Sequence, residues 1–458
     1  MERKKILISC VGKRDPFADD NDSTEGAILT SIRSLKPDIV YLLPTMRKAN
    51  STSNTEKNAE DVRAMIETIN EEDGISIEVY IRALDIVNPT DYASLREEIH
   101  NKVSVIYNEN MEAEFYYSIS SGTNQMTSIW LVLKNNGCLK GDLYKVSDPR
   151  FIDNPTPENR VKKIEMNFME EDNIIVRSKN FIKNYTFEYS ANELEKLSEI
   201  TGNEKRKFMS EIFSEVFKAY NYWEQLNYKV ARAKINKIAN RISSLNKYQT
   251  IFNLLSRQEK FLLKLIKAQN ENLEDKYILL DFYFMLKRHY LKNDYSATLA
   301  RFWRIYEGCI YYILRKEYNI EARCLNDSGN KKLAREISRK YGTKMHYSLS
   351  LAKGAEFLKE ENNEVYKKLI DTELIKLPYR TSVKDYSLAD LLDELRIIRN
   401  NCSIGHGLKP VEGYRGEQAV IAGKEILMTV FDIEESSMDN YCFNDTFINL
   451  YLEYMDKI

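Results

Sequence analysis

The long middle part of the chain nearly lacks the residues that interrupt helices. No proline occurs between Pro157 and Pro378. Gly202 is the only glycine between Gly141 and Gly308. Proline removes a backbone donor and glycine costs conformational entropy, so both usually punctuate regular structure. Stretches with apolar residues at helical spacing fill the interval, among them KRKFMSEIFSEVFKAYNYWEQL and YQTIFNLLSRQEKFLLKLIKAQ. The pattern predicts an all-helical region from about residue 170 onward.

The first part of the chain instead alternates short apolar runs with amphipathic stretches. Five runs rich in Ile, Val, Tyr and Phe predict strands: KILISCVG, DIVYLLPT, ISIEVYIRAL, AEFYYSIS and LKGDLYKVS. Helical patterns such as EGAILTSIRSL and NQMTSIWLVLKN separate them. Strands that alternate with helices are typical of a parallel sheet with helices on both faces. The segment VKKIEMNF predicts a further edge strand or hairpin.

Length and texture together predict three domains. A chain of 458 residues is too long for one ordinary hydrophobic core. We predict an α/β Rossmann-like domain over residues 1–172, an all-α linker domain over 173–290 and a second all-α domain over 291–458. The last boundary is placed where the pattern YSATLARFWRIYEGCIYYILRKEYN begins.

The composition argues against a polycationic coat for nucleic acid. The chain has 67 basic and 69 acidic residues, so a site for a polyanion would need its positive charge concentrated locally. The six cysteines are scattered without a C-x-x-C pair, which fits free thiols in a reducing cytosol. No apolar stretch approaches the roughly 20 residues that span a bilayer. We therefore expect a cytoplasmic protein without membrane contact and without a metal site.

Two loops of the first domain carry groups that suit a phosphate. In an open α/β sheet, ligands bind beyond the carboxyl ends of the strands, where the winding direction reverses. The loops over residues 11–17 and 118–127 meet there if the first and fourth strands are neighbours. A helix that starts near Thr123 would point free N–H groups outward. The residues of this predicted nucleotide-phosphate pocket are Gly12, Lys13, Arg14, Asp15, Ser120, Ser121, Gly122, Thr123, Asn124, Gln125 and Met126.

A plainer interpretation of the same loops stays open. Ser, Gly and Thr also occur in an ordinary turn between strand and helix, where they cap the helix. The absence of a G-x-G-x-x-G run argues against an ordinary dinucleotide cofactor under either interpretation.

A second candidate site lies in RIIRNNCSIGHG, which ends an amphipathic helical pattern near the C-terminus. The candidate catalytic residues are Arg399, Asn400 and His406, and the glycines beside the histidine predict that the helix ends just before it. An arginine fork binds a phosphodiester, and a histidine moves protons near neutral pH. This set suits attack of an RNA 2′-hydroxyl on its own phosphate, which leaves a 2′,3′-cyclic phosphate and which DNA cannot undergo.

The alternative at this second site is structural. Arg399 would form a surface ion pair and His406 would cap the helix. The other histidines are interpreted as structural or solvated: His100, His289 and His346. A basic helical stretch around Lys234, Lys237 and Arg241 could guide RNA, although a solvated helix face explains it equally simply.

Three motifs, in this order, resemble the CARF–HEPN ribonucleases of type III CRISPR systems, the Csm6-type effectors. They are GKRDP after the first strand, SSGTNQM after the fourth, and RNNCSIGH, which fits the family's R-x(4–6)-H pattern. The resemblance spans most of the chain, because the family also places a helical segment between its two named domains. It implies a CARF ligand-sensing domain over 1–172 and a HEPN ribonuclease domain over 291–458.

The resemblance also implies an activity and partners. CARF domains of a homodimer would bind a cyclic oligoadenylate, and paired HEPN domains would bring Arg399, Asn400 and His406 of both chains to one cleft. The implied activity is activator-dependent, metal-independent endonuclease cleavage of single-stranded RNA in antiviral defence. A ring of identical nucleotides suits the two-fold axis of a dimer. We expect a ring of six adenylates rather than four, and no stable binding of DNA.

Two departures from the family pattern leave details open. Arg14 stands where relatives often have a threonine before Asp-Pro, and Asn124 stands where a proline often follows Gly-Thr. Ring size and cleavage of the activator in the CARF pocket, for which Thr123 is the candidate residue, are therefore undetermined. Two other functions remain possible. One is a non-catalytic cyclic-nucleotide sensor whose helical half binds a protein or nucleic acid, and the other is a toxin-like ribonuclease without ligand control.

Overall fold

The computed structural model describes residues 3–18, 24–46, 54–439 and 446–457 of the chain. It divides into two units, Met1–Glu170 and Glu171–Ile458. The predicted domain limits at 172 and 290 remain predictions. All cysteines within the described ranges are free thiols. Cys442, which we also predicted to be free, lies outside them.

A six-stranded sheet forms the centre of the N-terminal unit. Its strands are β1 (Lys5–Cys10), β2 (Ile39–Leu43), β3 (Glu78–Ile81), β4 (Glu114–Ser118), β5 (Asp142–Val146) and β6 (Val161–Lys163). They lie in the order β3-β2-β1-β4-β5-β6. Every neighbouring pair is parallel except the antiparallel edge pair of β5 and β6. The five predicted strands and the predicted edge strand are confirmed.

Helices cover both faces of this sheet, which is why β1 and β2 are apolar almost throughout. They are α1 (Ala27–Leu35), α2 (Glu56–Asp73), α3 (Tyr92–Glu109), α4 (Asn124–Asn135) and the short α5 (Pro157–Arg160). On one face, Ile28 of α1 and Ile66 of α2 pack around Leu7 of β1. On the other face, Ile99 of α3 and Trp130 of α4 belong to a second apolar cluster.

The strand order places the winding reversal between β1 and β4. The chain proceeds outward from β1 through β2 to β3, and then returns to the other side of β1 to form β4. Loops that follow β1 and β4 therefore leave the sheet side by side at its carboxyl edge. An open α/β sheet binds ligands at this place.

Helices make up most of the second unit, as the scarcity of proline and glycine predicts. They are α6 (Asn167–Lys183), α7 (Phe187–Ile200), α8 (Glu204–Glu224), α9 (Tyr228–Ile242), α10 (Gln249–Glu271), α11 (Lys276–Leu291), α12 (Tyr295–Tyr318), α13 (Lys331–Tyr341), α14 (Leu351–Glu360), α15 (Glu364–Ile370), α16 (Leu388–Asn401), α17 (Gly413–Phe431), α18 (Glu435–Asp439) and α19 (Thr446–Met455). Short 3₁₀ turns occur at Asn246–Tyr248 and Leu325–Asp327. Among the described helices, none is long and apolar enough to cross a membrane.

The helical unit contains two apolar clusters. One gathers buried side chains from α6 to α11 and takes in the C-terminal helix α19. There Tyr451 of α19 packs edge-on against Phe213 and Phe217 of α8, with ring centroids 5.2 and 5.3 Å apart. The other cluster extends from α11 to α18 and includes buried residues of α12, α16 and α17. The second candidate site lies at the surface of this second cluster.

One element corrects the prediction that the region is helical throughout. Strands β7 (Glu373–Tyr379) and β8 (Ser382–Ser387) form an antiparallel hairpin whose register shifts midway. Leu377 and Tyr386 bury one side of the hairpin in the helical core, so packing decides its conformation. A two-stranded hairpin has free edges and therefore tolerates Pro378. The register shift obscures the alternation of apolar and polar residues that would have predicted two strands.

Candidate functional site

The loops that follow β1 and β4 are joined by hydrogen bonds. The N–H of Gly12 donates to Asp15 Oδ2 at 2.8 Å and to Ser121 Oγ at 2.9 Å. The Ser121 hydroxyl donates in turn to Asp15 Oδ2. The condition on which the predicted pocket rested, that the first and fourth strands are neighbours, is thus met. Residues from both predicted loops form one continuous wall.

Asp15 is the buried centre of this wall. Its side chain is only 5% exposed. Burial raises the pKa of its carboxyl, and the hydrogen bonds from Ser121 and Gly12 partly offset that rise. Asn58 of α2 donates to the backbone carbonyl of Asp15 at 2.7 Å. Asp15 therefore fixes the first loop to the second, and α2 holds it from behind.

The second loop both caps a helix and lines a cavity. Gly122 has φ +93°, and a Cβ at that position would lie 2.6 Å from the sulfur of Met126. Thr123 Oγ1 accepts the N–H of Met126 at 3.2 Å and donates to the Pro89 carbonyl at 3.0 Å. Thr123 therefore caps α4, as the plainer interpretation of this loop predicts. Gly122 and Thr123 also line a cavity.

A cavity of about 570 Å³ lies between the two loops. All predicted pocket residues line it except Asn124 and Gln125, which are the first residues of α4. Lys13 and Arg14 are exposed at this cavity. Within the described ranges neither of them pairs with a carboxylate. Their charges are therefore available to an anionic ligand.

Several lining residues were not predicted from the sequence. Thr45 follows β2 and Ser147 follows β5, so the rule about carboxyl ends of strands would have found both. Arg160, at the end of α5, carried no comparable signal. It is 9% exposed, and its guanidinium donates to the Ser147 carbonyl at 3.1 Å and to the Thr30 hydroxyl at 3.2 Å. This buried cation adds positive charge to the lining of the cavity.

The cavity combines backbone N–H groups, hydroxyls and cations around a glycine. The N-terminus of α4, with its partial positive charge, opens beside it. Such a set can bind phosphate groups without a metal ion or a Gly-rich dinucleotide loop. The geometry does not by itself identify the rest of the ligand.

At the second candidate site, α16 ends at Asn401, earlier than the predicted end just before His406. The chain then turns back over the helix end. The N–H of His406 donates to the Asn400 carbonyl at 3.1 Å, and the N–H of Lys409 donates to the Asn401 carbonyl at 2.9 Å. The last carbonyls of a helix lack partners within the helix. Here the returning chain supplies them.

The two glycines beside His406 are required by this return. A Cβ on Gly405 would lie 2.3 Å from the Arg399 carbonyl oxygen, and one on Gly407 would lie 2.0 Å from the Asn401 carbonyl oxygen. No side chain fits at such distances from backbone atoms. Glycine thus allows the segment to lie against the helix end, with the side chain of His406 exposed to solvent.

Asn400 connects the arginine and the histidine. Its Oδ1 accepts hydrogen bonds from Nε and Nη2 of Arg399 at 3.2 and 3.1 Å, while its backbone carbonyl holds the N–H of His406. The Arg399 guanidinium also lies 4.7 Å from the ring centroid of Trp303, a residue of α12 that is 8% exposed. No described carboxylate pairs with Arg399, so the predicted alternative of a surface ion pair is not found.

Two of the three basic residues predicted on α9 have carboxylate partners. Lys234 pairs with Glu215 at 2.9 Å and Arg241 with Glu211 at 2.6 Å, while Lys237 is exposed. His289 Nδ1 lies 3.3 Å from an oxygen of Asp294. Burial is the main cause that lowers the pKa of His289. Across the described part of the chain, no three His, Cys, Asp or Glu side chains form a group that could hold a metal ion.

Comparison with known proteins gives one kind of match. No protein-family model matches the chain, and no curated protein matches it in sequence. Among solved structures, 35 chains are similar to it. One is Enterococcus italicus Csm6 bound to cyclic hexa-2′-fluoro-hexa-dAMP, at 17% sequence identity and a TM-score of 0.56, with 99% of each chain covered. The chain therefore has the fold of that Csm6, and the predicted fold class is confirmed.

Proposed function

We propose that the chain is a cyclic oligoadenylate-activated endoribonuclease. The observation that carries the proposal is Asn400, which holds the guanidinium of Arg399 through its side chain and the backbone of His406 through its carbonyl. A phosphate-binding group and a proton-transfer group are thus held at one exposed helix end. The similar Csm6 structure contains a cyclic hexanucleotide, which supports the choice of activator.

The cavity of the N-terminal unit is the proposed activator site. Lys13, Arg14 and Arg160 provide positive charge, and the hydroxyls of Ser120 and Ser121 add polar groups to the lining. A cyclic oligoadenylate carries one phosphodiester per nucleotide, so several of these groups can be engaged at once. Its two-fold symmetry suits a pair of identical pockets in a homodimer. We keep six adenylates as the expected size.

The proposed reaction is cleavage of single-stranded RNA by its own 2′-hydroxyl. The 2′-oxygen loses its proton and forms a bond to the adjacent phosphorus, while the bond from phosphorus to the 5′-oxygen breaks and that oxygen takes up a proton. A histidine can accept the first proton or donate the second. The Arg399 guanidinium offsets the negative charge on the phosphate. The expected ends are a 2′,3′-cyclic phosphate and a 5′-hydroxyl.

Exposed apolar residues around the C-terminal site support pairing of two copies. Leu408, which follows the His406 loop, is 98% exposed. Ile397 on α16 and Ile404 in the loop are exposed as well. Apolar groups clustered at a surface commonly mark an interface. A second copy over this region would cover them and bring two sets of Arg399, Asn400 and His406 to one RNA strand.

Activation then requires that the ring favours one arrangement of the pair. A ligand shifts a conformational equilibrium only by the difference in its affinity for the two states. Cleavage of the ring by the N-terminal unit remains a further prediction. The Thr123 hydroxyl that would be involved is engaged with two backbone groups.

A cleavage assay tests the proposed function. Purified protein is incubated with a fluorescent single-stranded RNA and each of the cyclic tri-, tetra- and hexa-adenylates, with and without EDTA. We expect cleavage with one ring size, unchanged by EDTA, and 2′,3′-cyclic phosphate ends. Ring binding without cleavage at any size would instead indicate a non-catalytic sensor. Full cleavage without a ring would indicate an unregulated ribonuclease, and loss of cleavage in EDTA would indicate metal-dependent chemistry.

A further inference from the structure

A second, smaller cleft lies in the helical unit, where the first turn of α8, the 3₁₀ turn Asn246–Tyr248 and the end of α19 meet. Its volume is about 230 Å³. It is lined by Lys205, Met209, Lys247, Tyr248, Tyr454 and Lys457, which we call the basic cleft. These residues come from three separate parts of the sequence, so no local motif predicts the cleft.

No carboxylate of the described residues compensates the charge of the basic cleft. Its three lysines are exposed, and none of them pairs with a carboxylate of the described residues. The neighbouring Asp456 is already paired with Lys179. Glu204 precedes Lys205 in sequence but does not line the cleft. Three ammonium groups around a small depression are a local concentration of positive charge in a chain whose net charge is −2.

Two tyrosines supply the rest of the lining. Their ring centroids are 6.5 Å apart. Lys247 Nζ lies 4.8 Å from the ring centroid of Tyr248, and Lys457 Nζ lies 5.4 Å from that of Tyr454. Tyr454 is partly exposed. Cations interleaved with aromatic rings are the chemistry by which proteins hold single-stranded nucleic acid, with lysines on the phosphates and rings stacked on the bases.

An unpartnered buried hydroxyl independently points to a ligand. Tyr248 is 4% exposed, and its hydroxyl has no hydrogen-bond partner among the described residues. A buried polar group without a partner is unfavourable, and native structures contain few of them. Tyr248 lines the cleft, so a ligand bound there is a candidate for the missing partner of this hydroxyl.

We propose that the basic cleft binds a nucleotide of single-stranded RNA at a distance along the strand from the cleaved bond. This proposal rests on the proposed function to the extent that RNA is the substrate. The lysines would contact phosphates, and Tyr454 would stack on a base. An acidic peptide would use the lysines but leave the aromatic faces without a role, so the lining favours RNA. The cleft would hold the strand while Arg399 and His406 act on it.

Charge reversal in the basic cleft is the first test. Lys205→Glu/Lys457→Glu is compared with Lys229→Glu/Lys332→Glu, whose lysines are exposed, lie in the same unit and form no ion pair with described residues. Lys229 lies beyond the far end of α8, roughly 30 Å from Lys205 at 1.5 Å per residue. All variants carry His406→Ala, so that RNA stays intact. Affinity for a fluorescent single-stranded RNA is measured by anisotropy over a range of salt concentrations.

We expect the cleft variant to raise Kd for RNA and to flatten its dependence on salt. Each phosphate contact that is lost should reduce the slope of log K against log salt by about 0.7. The control pair should change neither quantity. Equal losses of RNA affinity in both variants would show that the effect comes from the net charge of the protein, and would overturn the proposal. So would unchanged affinity in the cleft variant, or the absence of RNA binding by the parent chain.

Substitution of the stacking residue is the second test. Tyr454→Leu should weaken RNA binding by about tenfold, since stacking contributes about 1–3 kcal/mol per base. Tyr454→Phe keeps the ring and should restore affinity, which a purely structural role of the hydroxyl would not allow. Equal affinities of the Leu and Phe variants would overturn base stacking in the cleft. Binding of poly-glutamate that equals RNA binding would identify an acidic peptide site instead.

The two proposals fail separately. If the wild-type chain cuts no RNA but the cleft variants lose RNA affinity, the proposed function fails and the cleft remains an RNA site. If the wild-type chain cuts RNA with an activator and the cleft variants bind RNA as the parent does, the proposed function stands and the cleft proposal fails.

Discussion

The two units carry their candidate sites in opposite ways. The N-terminal unit encloses a cavity, and hydrogen bonds between Gly12, Asp15 and Ser121 fix its wall within a single chain. The helical unit presents Asn400 and His406 at an exposed helix end without an enclosing wall. One chain therefore encloses the cavity of the first candidate site, whereas it leaves the second candidate site open to solvent. An open second site is consistent with the proposal that two copies share one cleavage site.

Buried carboxyls follow the same contrast. In the N-terminal unit the buried Asp15 belongs to the cavity wall. In the helical unit the buried Asp281 accepts hydrogen bonds from Trp223 Nε1 and the Tyr228 hydroxyl, both at 2.9 Å, and serves the core. The buried carboxyl of the N-terminal unit thus lies at its candidate site. That of the helical unit lies in the core, and the candidate site of this unit is exposed.

The largest effect is expected from a substitution at the exposed candidate site of the helical unit. His406→Ala should lower the rate of activated RNA cleavage by about 100- to 10,000-fold, the usual contribution of general acid–base catalysis. Affinity for the ring should stay unchanged, because the substitution lies in the helical unit and the proposed ring site lies in the N-terminal unit. Single-turnover cleavage and calorimetric titration of the ring measure the two quantities.

A matched histidine provides the control for this experiment. His346 is exposed in the same unit, so His346→Ala should leave both cleavage and ring affinity as they are. Undiminished cleavage by His406→Ala would show that the reaction takes place elsewhere.

The next effect is expected at the enclosed site. Gly122→Ala introduces a Cβ against Met126 at a residue with φ +93°. We expect ring affinity to fall by about tenfold, which corresponds to about 1.4 kcal/mol. Cleavage at saturating ring should be retained. Titration calorimetry of the variant with the activating ring measures the loss.

Gly137→Ala is the control for Gly122→Ala. Gly137 also has a positive φ, of +73°, but a Cβ there meets nothing within 4 Å. The two variants share backbone strain, and only Gly122→Ala crowds the loop. Equal losses of ring affinity would attribute the effect to strain in the unit and not to the shape of the cavity.

A smaller effect sharpens the contrast at the exposed site. Trp303→Leu removes the ring beneath Arg399, and cleavage should slow by about two- to fivefold, as expected for a cation–π contact of about 0.5–1 kcal/mol. Trp303→Phe retains an aromatic face and should recover part of the rate. The change should appear in kcat, with ring affinity unaltered. Identical rates for the Leu and Phe variants would exclude a role for the aromatic face.

The last prediction concerns stability and leaves both candidate sites unchanged, because it tests the buried carboxyl of the helical unit. Burial, the largest cause, raises the pKa of Asp281 to about 7, although Arg288 partly opposes the rise. The folded state therefore keeps a proton that the unfolded chain releases above about pH 3.9. The free energy of unfolding should fall as pH rises from about 4 to about 7, by at most about 1.4 kcal/mol per pH unit from this group.

Asp281→Asn should flatten this part of the pH dependence, because the amide does not titrate. Urea unfolding followed by helical circular dichroism at several pH values measures the slope. A slope equal to that of the wild type would assign the pH dependence to other groups.

Local patterns in the sequence predicted what local interactions decide. Strand-forming runs and the loops after β1 and β4 were predicted because periodicity and glycine placement are visible along the chain. The hairpin was missed because burial of Leu377 and Tyr386 in the helical core determines it. Arg160 was missed because it reaches the cavity only through the pairing of β6 with β5, which no local sequence pattern shows. The predicted end of α16 was wrong because the sequence around Asn401 carries no signal that ends a helix. Contacts of Gly405 with the preceding helical turn determine where the helix ends.

The return of the chain over the end of α16 suggests why a motif can require an arginine and a histidine but allow the number of residues between them to vary. No helix or strand lies between Asn401 and His406, so the bulge there can grow or shrink while the histidine stays docked on the Asn400 carbonyl. A tolerance of a few positions, as written in R-x(4–6)-H, is then natural. Residues added between Asn401 and Gly405 would lengthen this loop, whereas a side chain in place of Gly405 or Gly407 would meet backbone atoms of the helix end.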